Sequence, residues 1–169
     1  MQTKVNGLAF SLLIFVVIIS GCNQAGRSYD SLSKIVDEGD LSVAKAVAIP
    51  GDATSINIRS DTEAGLYYIS YDTSYVVRYI EENGMLEVGN ESVPLIRDSL
   101  GFNAELPPNI SLYYRCAAPS VPLQDVRKNA REIIMMGSDG QRQYVWNRRN
   151  DRDLEAVLCR PVGNGLRQF

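Results

Sequence analysis

The stretch that decides the fold is "REIIMMGSDGQRQYVWNR", residues 131–148. Two runs of strand-forming residues, "REIIMMGS" and "QRQYVWNR", flank the pair Asp139 and Gly140. An Asp-Gly pair tolerates the positive φ that a type I′ turn needs, so this stretch predicts a β-hairpin. A polar turn, "NDRD", leads into "LEAVLCRP" at residues 154–161, for which we expect a third strand of an antiparallel meander.

Four earlier segments also predict strands, because they are rich in β-branched and aromatic residues or alternate apolar with polar positions. They are "VAKAVAI", "SINIRS", "GLYYISYD" and "SLYYRCAA", at residues 43–49, 55–60, 65–72 and 111–118. The middle two are expected to pair across the turn "SDTEAG". Residues 85–110 contain three prolines and predict loops with at most one helical turn, near 95–100.

Two further segments favour helices. Residues 73–84, "TSYVVRYIEENG", place apolar side chains on one helical face and end at Gly84; a strand is the alternative, because Val, Tyr and Ile favour β-structure. A short helix is also expected within residues 29–40, with Asp30 or Ser31 as its N-cap. The chain therefore predicts an α+β fold, a mainly antiparallel sheet of five to seven strands with one or two helices.

The composition argues against several classes of function. The 169 residues are 45% hydrophobic and 22% charged, typical of a globular protein, and the formal net charge is −3. A nucleic-acid partner is not expected, because the basic stretch "NRRNDR" at residues 147–152 is diluted by Asp151 and Asp153. The chain has no histidine, the commonest general base and metal ligand, so we assign no catalytic residue, metal or cofactor.

Three acidic clusters are the remaining candidates for catalysis, at residues 37–40, 61–63 and 81–82. A glycosidase needs two carboxylates that face each other across a sugar, one protonated and one ionised. We expect these clusters to be solvated at turns and helix ends. A carboxylate-dependent hydrolase acting on peptidoglycan or glycan is therefore the alternative hypothesis and not the leading one.

The N-terminal segment has the features of an export signal. Lys4 and the free amino group give a short positive region, and residues 8–19 form a twelve-residue apolar run with Ser11 as its one polar member. Such a run is too short for a membrane span, which takes about 20 residues. It indicates a secretory signal peptide, with an uncleaved signal anchor as the alternative.

Residues 19–22, "ISGC", resemble the lipobox of bacterial lipoproteins. In that family the signal peptide is cleaved just before the cysteine, whose thiol and amino group then carry acyl chains such as palmitate. The resemblance implies that residues 1–21 are a lipoprotein signal peptide and that Cys22 is the lipidated anchor. More than one acyl chain gives stable attachment, whereas a single chain gives marginal binding.

The same resemblance implies the domain organisation and the cellular location of the mature protein. Acylated Cys22 holds the protein to the membrane of the cell envelope, residues 22–31 form a polar tether, and residues 32–169 form a single periplasmic α+β domain. Asn23, in place of an Asp after the cysteine, favours the outer membrane, facing the periplasm, over the inner membrane.

A second resemblance covers residues 49–72, which are loosely similar to small, mostly uncharacterised bacterial lipoproteins. Those proteins carry an Ile/Leu-Pro-x-x-Ala-x-x-Ile segment, here Ile49, Pro50, Ala53 and Ile56. The resemblance implies a compact α+β domain and no established enzymatic role.

Lipidation of Cys22 would leave two thiols, Cys116 and Cys159, each in a segment that predicts a strand. Export to an oxidising compartment favours a disulfide between them, with a pair of buried free thiols as the alternative. A catalytic thiol is not favoured, because no histidine is present to activate it.

Tyrosines crowd one part of the chain, and Tyr67, Tyr71, Tyr75 and Tyr79 are candidate partner-binding residues. Aromatic side chains are enriched at protein interfaces, although strand alternation would also place about half of this set in the core. The leading hypothesis is a non-enzymatic lipid-anchored module that binds another envelope protein, either in envelope maintenance or in neutralising a toxin delivered by a competitor.

Overall fold

The structure, a computed structural model, describes residues 26–61, 63–117 and 132–159. Its strands are β1 Arg27–Ser31, β2 Thr54–Asp61, β3 Leu66–Asp72, β4 Leu86–Glu87, β5 Ser111–Ala117, β6 Glu132–Ser138 and β7 Arg142–Arg149. Its helices are α1 Glu38–Ala46, α2 Val76–Glu82, α3 Val93–Asp98 and α4 Arg152–Leu158, with 3₁₀ turns at Leu32–Lys34 and Asn90–Ser92. All seven strands form one antiparallel sheet in the order β1-β2-β3-β7-β6-β5-β4. The α+β class and the strand number are confirmed, and helices are more numerous than expected.

The hairpin of β6 and β7 is confirmed, but its turn lies one residue later than the Asp-Gly pair predicted. The backbone N–H of Asp139 donates to the carbonyl of Arg142 at 3.4 Å, so the central residues are Gly140 and Gln141. Only the first of these has a positive φ, +97°, as in a type II′ turn. Asp139 instead stabilises the turn with its carboxylate, which accepts hydrogen bonds from the backbone N–H groups of Arg142 and Gln141. These hydrogen bonds lower the pKa of Asp139.

The sheet is covered on both faces, which explains the unbroken apolar run in β6. Ile134 and Met136 point toward α1 and α2, and Ile133 and Met135 point toward α3 and α4. A strand with both faces buried is continuously apolar, whereas a half-exposed strand alternates. We refer to these as the α1–α2 face and the α3–α4 face.

The expected strand at residues 43–49 is wrong, because residues up to Ala46 belong to α1. Asp37 is the N-cap of that helix and accepts a hydrogen bond from the backbone N–H of Asp40 at 3.0 Å. Because of this cap, α1 begins within residues 29–40, where a separate short helix was expected. The first part of that stretch belongs to β1 and a 3₁₀ turn instead, so the tether expected at residues 22–31 overlaps β1.

The third strand expected at residues 154–161 is also wrong, because α4 occupies most of that segment. Asp151 caps this helix and accepts a hydrogen bond from the backbone N–H of Leu154 at 3.1 Å. In the sheet β7 already lies between β3 and β6, so neither of its edges is free for another strand. The meander is formed by β5, β6 and β7.

The expected helix at residues 73–84 is confirmed as α2. Tyr75 is the N-cap residue of α2, and the Thr73 hydroxyl accepts a hydrogen bond from its backbone N–H at 3.1 Å. Gly84 ends the segment with φ +58°, a left-handed conformation that suits a residue without a Cβ.

The two ends of the sheet can be told apart by its register. We call the distal end the one at which Ser31, Thr54, Asp72 and Arg142 lie side by side on consecutive strands. The proximal end is the opposite one, at which β1 begins with Arg27. The chain therefore enters the sheet at the proximal end.

Candidate functional site

Cys22 and most of the expected tether lie outside the described residues, so lipidation stays a prediction. In the parts of the chain that the structure describes, no helix is long and apolar enough to cross a bilayer. The same parts contain no group of three or more Cys, Asp or Glu side chains that could hold a metal ion.

The two remaining cysteines form a disulfide. Cys116 lies in β5 and Cys159 is the C-cap residue of α4, with their Cα atoms 5.9 Å apart. The pairing agrees with the sequence-based prediction, although Cys159 ends a helix and does not lie in a strand. The bond attaches α4 to the α3–α4 face of the sheet.

Three of the four candidate partner-binding tyrosines are in the core and cannot contact a partner. Tyr67 and Tyr71 point from β3 into the α1–α2 face, and Tyr79 points from α2 onto the same face. They are buried because helices cover the face that strand alternation assigns to them. Tyr75 is the member of the set that is exposed, with 43% of its surface accessible.

Hydrogen bonds from two buried tyrosines join α2 to the end of α1 and β3 to β7. The hydroxyl of Tyr79 donates to the carbonyl of Val47, directly after α1, at 2.7 Å. The hydroxyl of Tyr71 donates to the side-chain oxygen of Gln143 at 2.5 Å. Burial raises the pKa of Tyr79 to about 12 and raises the pKa of Tyr71 further.

The outer side of α2 is a shallow surface that we call the α2 surface. It consists of Ser74, Tyr75, Val77, Arg78, Glu81 and Glu82. Val77 is 68% exposed although it is apolar, and it belongs to the same surface as the exposed Tyr75. The guanidinium of Arg78 is 5.6 Å from the centre of the Tyr75 ring and donates to the Glu82 carboxylate at 2.6 Å. The surface therefore combines an aromatic and an aliphatic side chain with a polar border.

Asp52 fixes the start of α2 at the distal end of the sheet. Its carboxylate accepts hydrogen bonds from the Thr73 hydroxyl at 2.7 Å, the Ser74 hydroxyl at 2.8 Å and the Ser74 backbone N–H at 3.0 Å. Partial desolvation opposes ionisation of Asp52, but these hydrogen bonds outweigh it and lower the pKa. At the other end of the helix, Arg115 donates to the carbonyl of Asn83 at 3.2 Å. The helix is thus held at both ends.

A second concave site is a cavity of about 210 Å³ on the α3–α4 side of the sheet, near the proximal end. Its lining residues are Asp61, Leu66, Tyr67, Gly101, Phe102, Trp146, Asn147 and Arg148. Two arginines hold the loop that forms one wall: Arg59 donates to the carbonyl of Phe102 at 2.7 Å, and Arg148 donates to the carbonyl of Ser99 at 2.6 Å. Phe102 has φ +60°, an unusual conformation for a bulky residue.

Sequence reasoning did not single out this cavity, although two of its charged residues belong to stretches that attracted attention. Asp61 belongs to an acidic cluster expected to be solvated, and Arg148 belongs to the diluted basic stretch at residues 147–152. Register brings them to one end of the sheet, where β2 ends and β7 nears its end. Neither stretch contains a local signal for that proximity.

The acidic clusters do not assemble into a facing pair at the cavity, where Asp61 is the one acidic lining residue among those described. In the first cluster, Asp37 forms an ion pair with Arg27, and Asp40 accepts a hydrogen bond from the Tyr29 hydroxyl at 2.8 Å. The backbone hydrogen bond from Asp40 and the Arg27 charge lower the pKa of Asp37, which is opposite to the shift that a general acid needs.

A buried polar cluster at the proximal end was also missed. Glu132 and Arg149 are opposite each other on β6 and β7, with the carboxylate and guanidinium 3.6 Å apart. The Glu132 carboxylate also accepts a hydrogen bond from the Asn147 amide, which in turn bonds the backbone of β3 through Tyr67. These contacts join three strands, so we assign the cluster a structural role.

No family model, curated protein or solved structure matches this chain. The features that bear on function are therefore those of this chain alone: residues 19–22, which resemble a lipobox, the α2 surface and the cavity.

Proposed function

We propose that the protein is a lipid-anchored lipoprotein of the cell envelope that binds another protein and has no catalytic role. Acylated Cys22 is the anchor and the α2 surface is the binding site. The observation that carries the proposal is the exposed apolar pair on α2, Tyr75 and Val77, with 43% and 68% of their surfaces accessible. Aromatic side chains that a partner can cover are typical anchors of protein interfaces.

The construction of α2 supports this proposal, because the helix is held from beneath while its outer side is left open. Tyr79 bonds the backbone of Val47, and Asp52 bonds the residues directly before the helix. A rigid surface loses little conformational entropy when a partner binds, so a modest apolar area is enough for useful affinity. Arg78 and Glu82 already pair with each other and form the polar border of the site.

The position of the α2 surface also supports it. Asp52 and Ser74 place the start of α2 near the distal end, whereas β1 begins at the proximal end. A protein held through its N-terminus would therefore present Tyr75 away from the membrane. This arrangement suits a partner in the periplasm.

A hydrolase acting on peptidoglycan or glycan is the second candidate, and it receives less support. Its mechanism needs two carboxylates across a sugar-binding cleft. The described lining of the cavity provides one carboxylate, Asp61, and a volume of about 210 Å³, which is small for an oligosaccharide. Glu81 and Glu82 are neighbours on a shallow surface and do not face each other across a cleft.

The test is chemical crosslinking of the anchored protein in its own envelope, followed by purification. We expect a discrete protein partner with the wild-type chain and its loss in the double variant Tyr75→Ala, Val77→Ser. The matched control is Val157→Ser, which changes another exposed valine, 53% accessible, on α4. Recovery of glycan fragments without protein, or equal recovery of the partner from the double variant, would contradict the proposal. The two biological roles considered, envelope maintenance and toxin neutralisation, are distinguished by the identity of the recovered protein.

A further inference from the structure

The cavity on the α3–α4 side has opposite charges in its lining that do not neutralise each other. Asp61 and Arg148 both line it, yet no ion pair joins them within the described residues. We propose that this cavity binds a small zwitterion that has an apolar body, of which an aliphatic α-amino acid is the simplest example. This site is separate from the α2 surface and does not depend on the function proposed for it.

Arg148 is oriented to bind the anionic group. Its Nε atom donates to the carbonyl of Ser99 at 2.6 Å, which fixes the plane of the guanidinium. The two Nη atoms have no acceptor among the described residues, so two parallel N–H groups are left for a ligand. Nη2 lies 3.8 Å from the position that a Cβ on Gly101 would occupy, so the guanidinium reaches the loop across the cavity. A guanidinium fork of this kind matches a carboxylate with two hydrogen bonds.

Asp61 is placed to bind the cationic group of the ligand. One of its carboxylate oxygens, Oδ1, accepts a hydrogen bond from the backbone N–H of Ala64 at 2.9 Å, which holds the side chain at the end of β2. The other oxygen has no donor among the described residues, and no described Lys or Arg forms an ion pair with this carboxylate. An ammonium group would supply both the missing donor and the missing charge.

Three apolar side chains also line the cavity and suit the apolar body of the ligand. They are Leu66, Phe102 and the buried Trp146. The volume of about 210 Å³ suits a ligand of amino-acid size. The hydrogen bond from Arg59 to the Phe102 carbonyl keeps this wall in its left-handed conformation, and strained conformations of this kind cluster at ligand sites.

Tryptophan fluorescence provides a direct assay, because Trp146 is the one tryptophan of the chain and lines the cavity. The full chain is titrated with L-leucine, with N-acetyl-L-leucine, which lacks the ammonium, and with L-leucinamide, which lacks the carboxylate. We expect saturable binding of L-leucine, and about tenfold or greater weakening for each analogue, as for the loss of one charged hydrogen-bonding group.

Two variants test which residue binds each charged end of the ligand. Asp61→Asn keeps an acceptor for Ala64 and removes the charge, so it should bind L-leucine and N-acetyl-L-leucine with similar affinity. Arg148→Gln should likewise abolish the preference for L-leucine over L-leucinamide. The control is Glu63→Gln, which removes an exposed negative charge two residues from Asp61 and should bind as the wild type does. Absence of a saturable response to L-leucine at millimolar concentrations, or an Asp61→Asn protein that folds and keeps the full ammonium preference, would overturn the proposal.

Discussion

Removal of the disulfide between Cys116 and Cys159 should strongly reduce the free energy of unfolding. The bond closes a loop with a sequence separation of 43 residues, which includes the β6–β7 hairpin and α4. The chain-entropy relation gives about 4 kcal/mol at 25 °C for a loop of this length. Most domains have a total stability of about 5–15 kcal/mol, so the double variant Cys116→Ala, Cys159→Ala should be marginally stable. Leu154 and Leu158 are buried against the sheet and should keep α4 in place while the domain is folded.

Urea unfolding followed by circular dichroism measures this loss. With an m-value of about 2 kcal/mol/M, a loss of about 4 kcal/mol lowers the unfolding midpoint by about 2 M. Wild-type protein in a reducing agent should unfold at the same midpoint as the double variant, which separates loss of the bond from the effect of the alanines. A fall in the midpoint of less than about 0.5 M would contradict this prediction. It would mean that the bond does not restrict the unfolded chain enough to stabilise the fold.

Three further predictions concern the anchor and α2. Cys22→Ala should leave the precursor unprocessed or release the protein from the membrane, and full processing with continued membrane attachment, measured by fractionation, would exclude lipidation. Burial raises the pKa of Tyr79 to about 12, above its ordinary value of 10.0, so the folded state holds this proton more tightly than the unfolded chain. Stability against urea should therefore be lost as the pH rises from about 10 through 12, and Tyr79→Phe should reduce that loss, whereas an unchanged pH profile would be evidence against the buried position. Asp52→Ala removes the acceptor of three hydrogen bonds from Thr73 and Ser74 and should destabilise the protein by about 1–2 kcal/mol in the same assay, while equal stability would show that α2 does not depend on them.

The hairpin and its neighbours could be predicted because their signals are local. The apolar run before Asp139 and the alternating run after it specify two strands and a turn, whatever the rest of the chain does. The turn still lies one residue later than predicted, at Gly140 and Gln141. There the Asp139 carboxylate, and not a backbone carbonyl, accepts hydrogen bonds from the backbone N–H groups of Gln141 and Arg142.

The two missed helices show where strand propensity misleads. Residues 43–49 and 154–161 are rich in Val, Ala and Leu, which suit either structure, so the outcome depends on the residues before them. Asp37 and Asp151 cap the helices with their side chains. Both capping residues could be recognised in the sequence. The position of β7 between two other strands could not be predicted, because it depends on the order of strands in the sheet.

The candidate site could be predicted only in part, because exposure depends on which helix covers which face. The tyrosine-rich segment does contain the exposed residue, Tyr75, but helices bury Tyr67, Tyr71 and Tyr79. Alternation along β3 assigns a residue to a face and does not say whether that face is covered. The cavity has no sequence signature at all, because its charges come together through strand register.

Site-specific photocrosslinking in the living cell tests whether the α2 surface binds another protein. A photoreactive amino acid replaces Val77 on the α2 surface or, as the control, Val157 on α4, two exposed valines on different helices. We expect a discrete protein adduct from position 77 that is absent from position 157 and that is lost when Tyr75→Ala is added. Adducts of equal yield from both positions, or none from position 77 while the protein is folded and anchored, would contradict it.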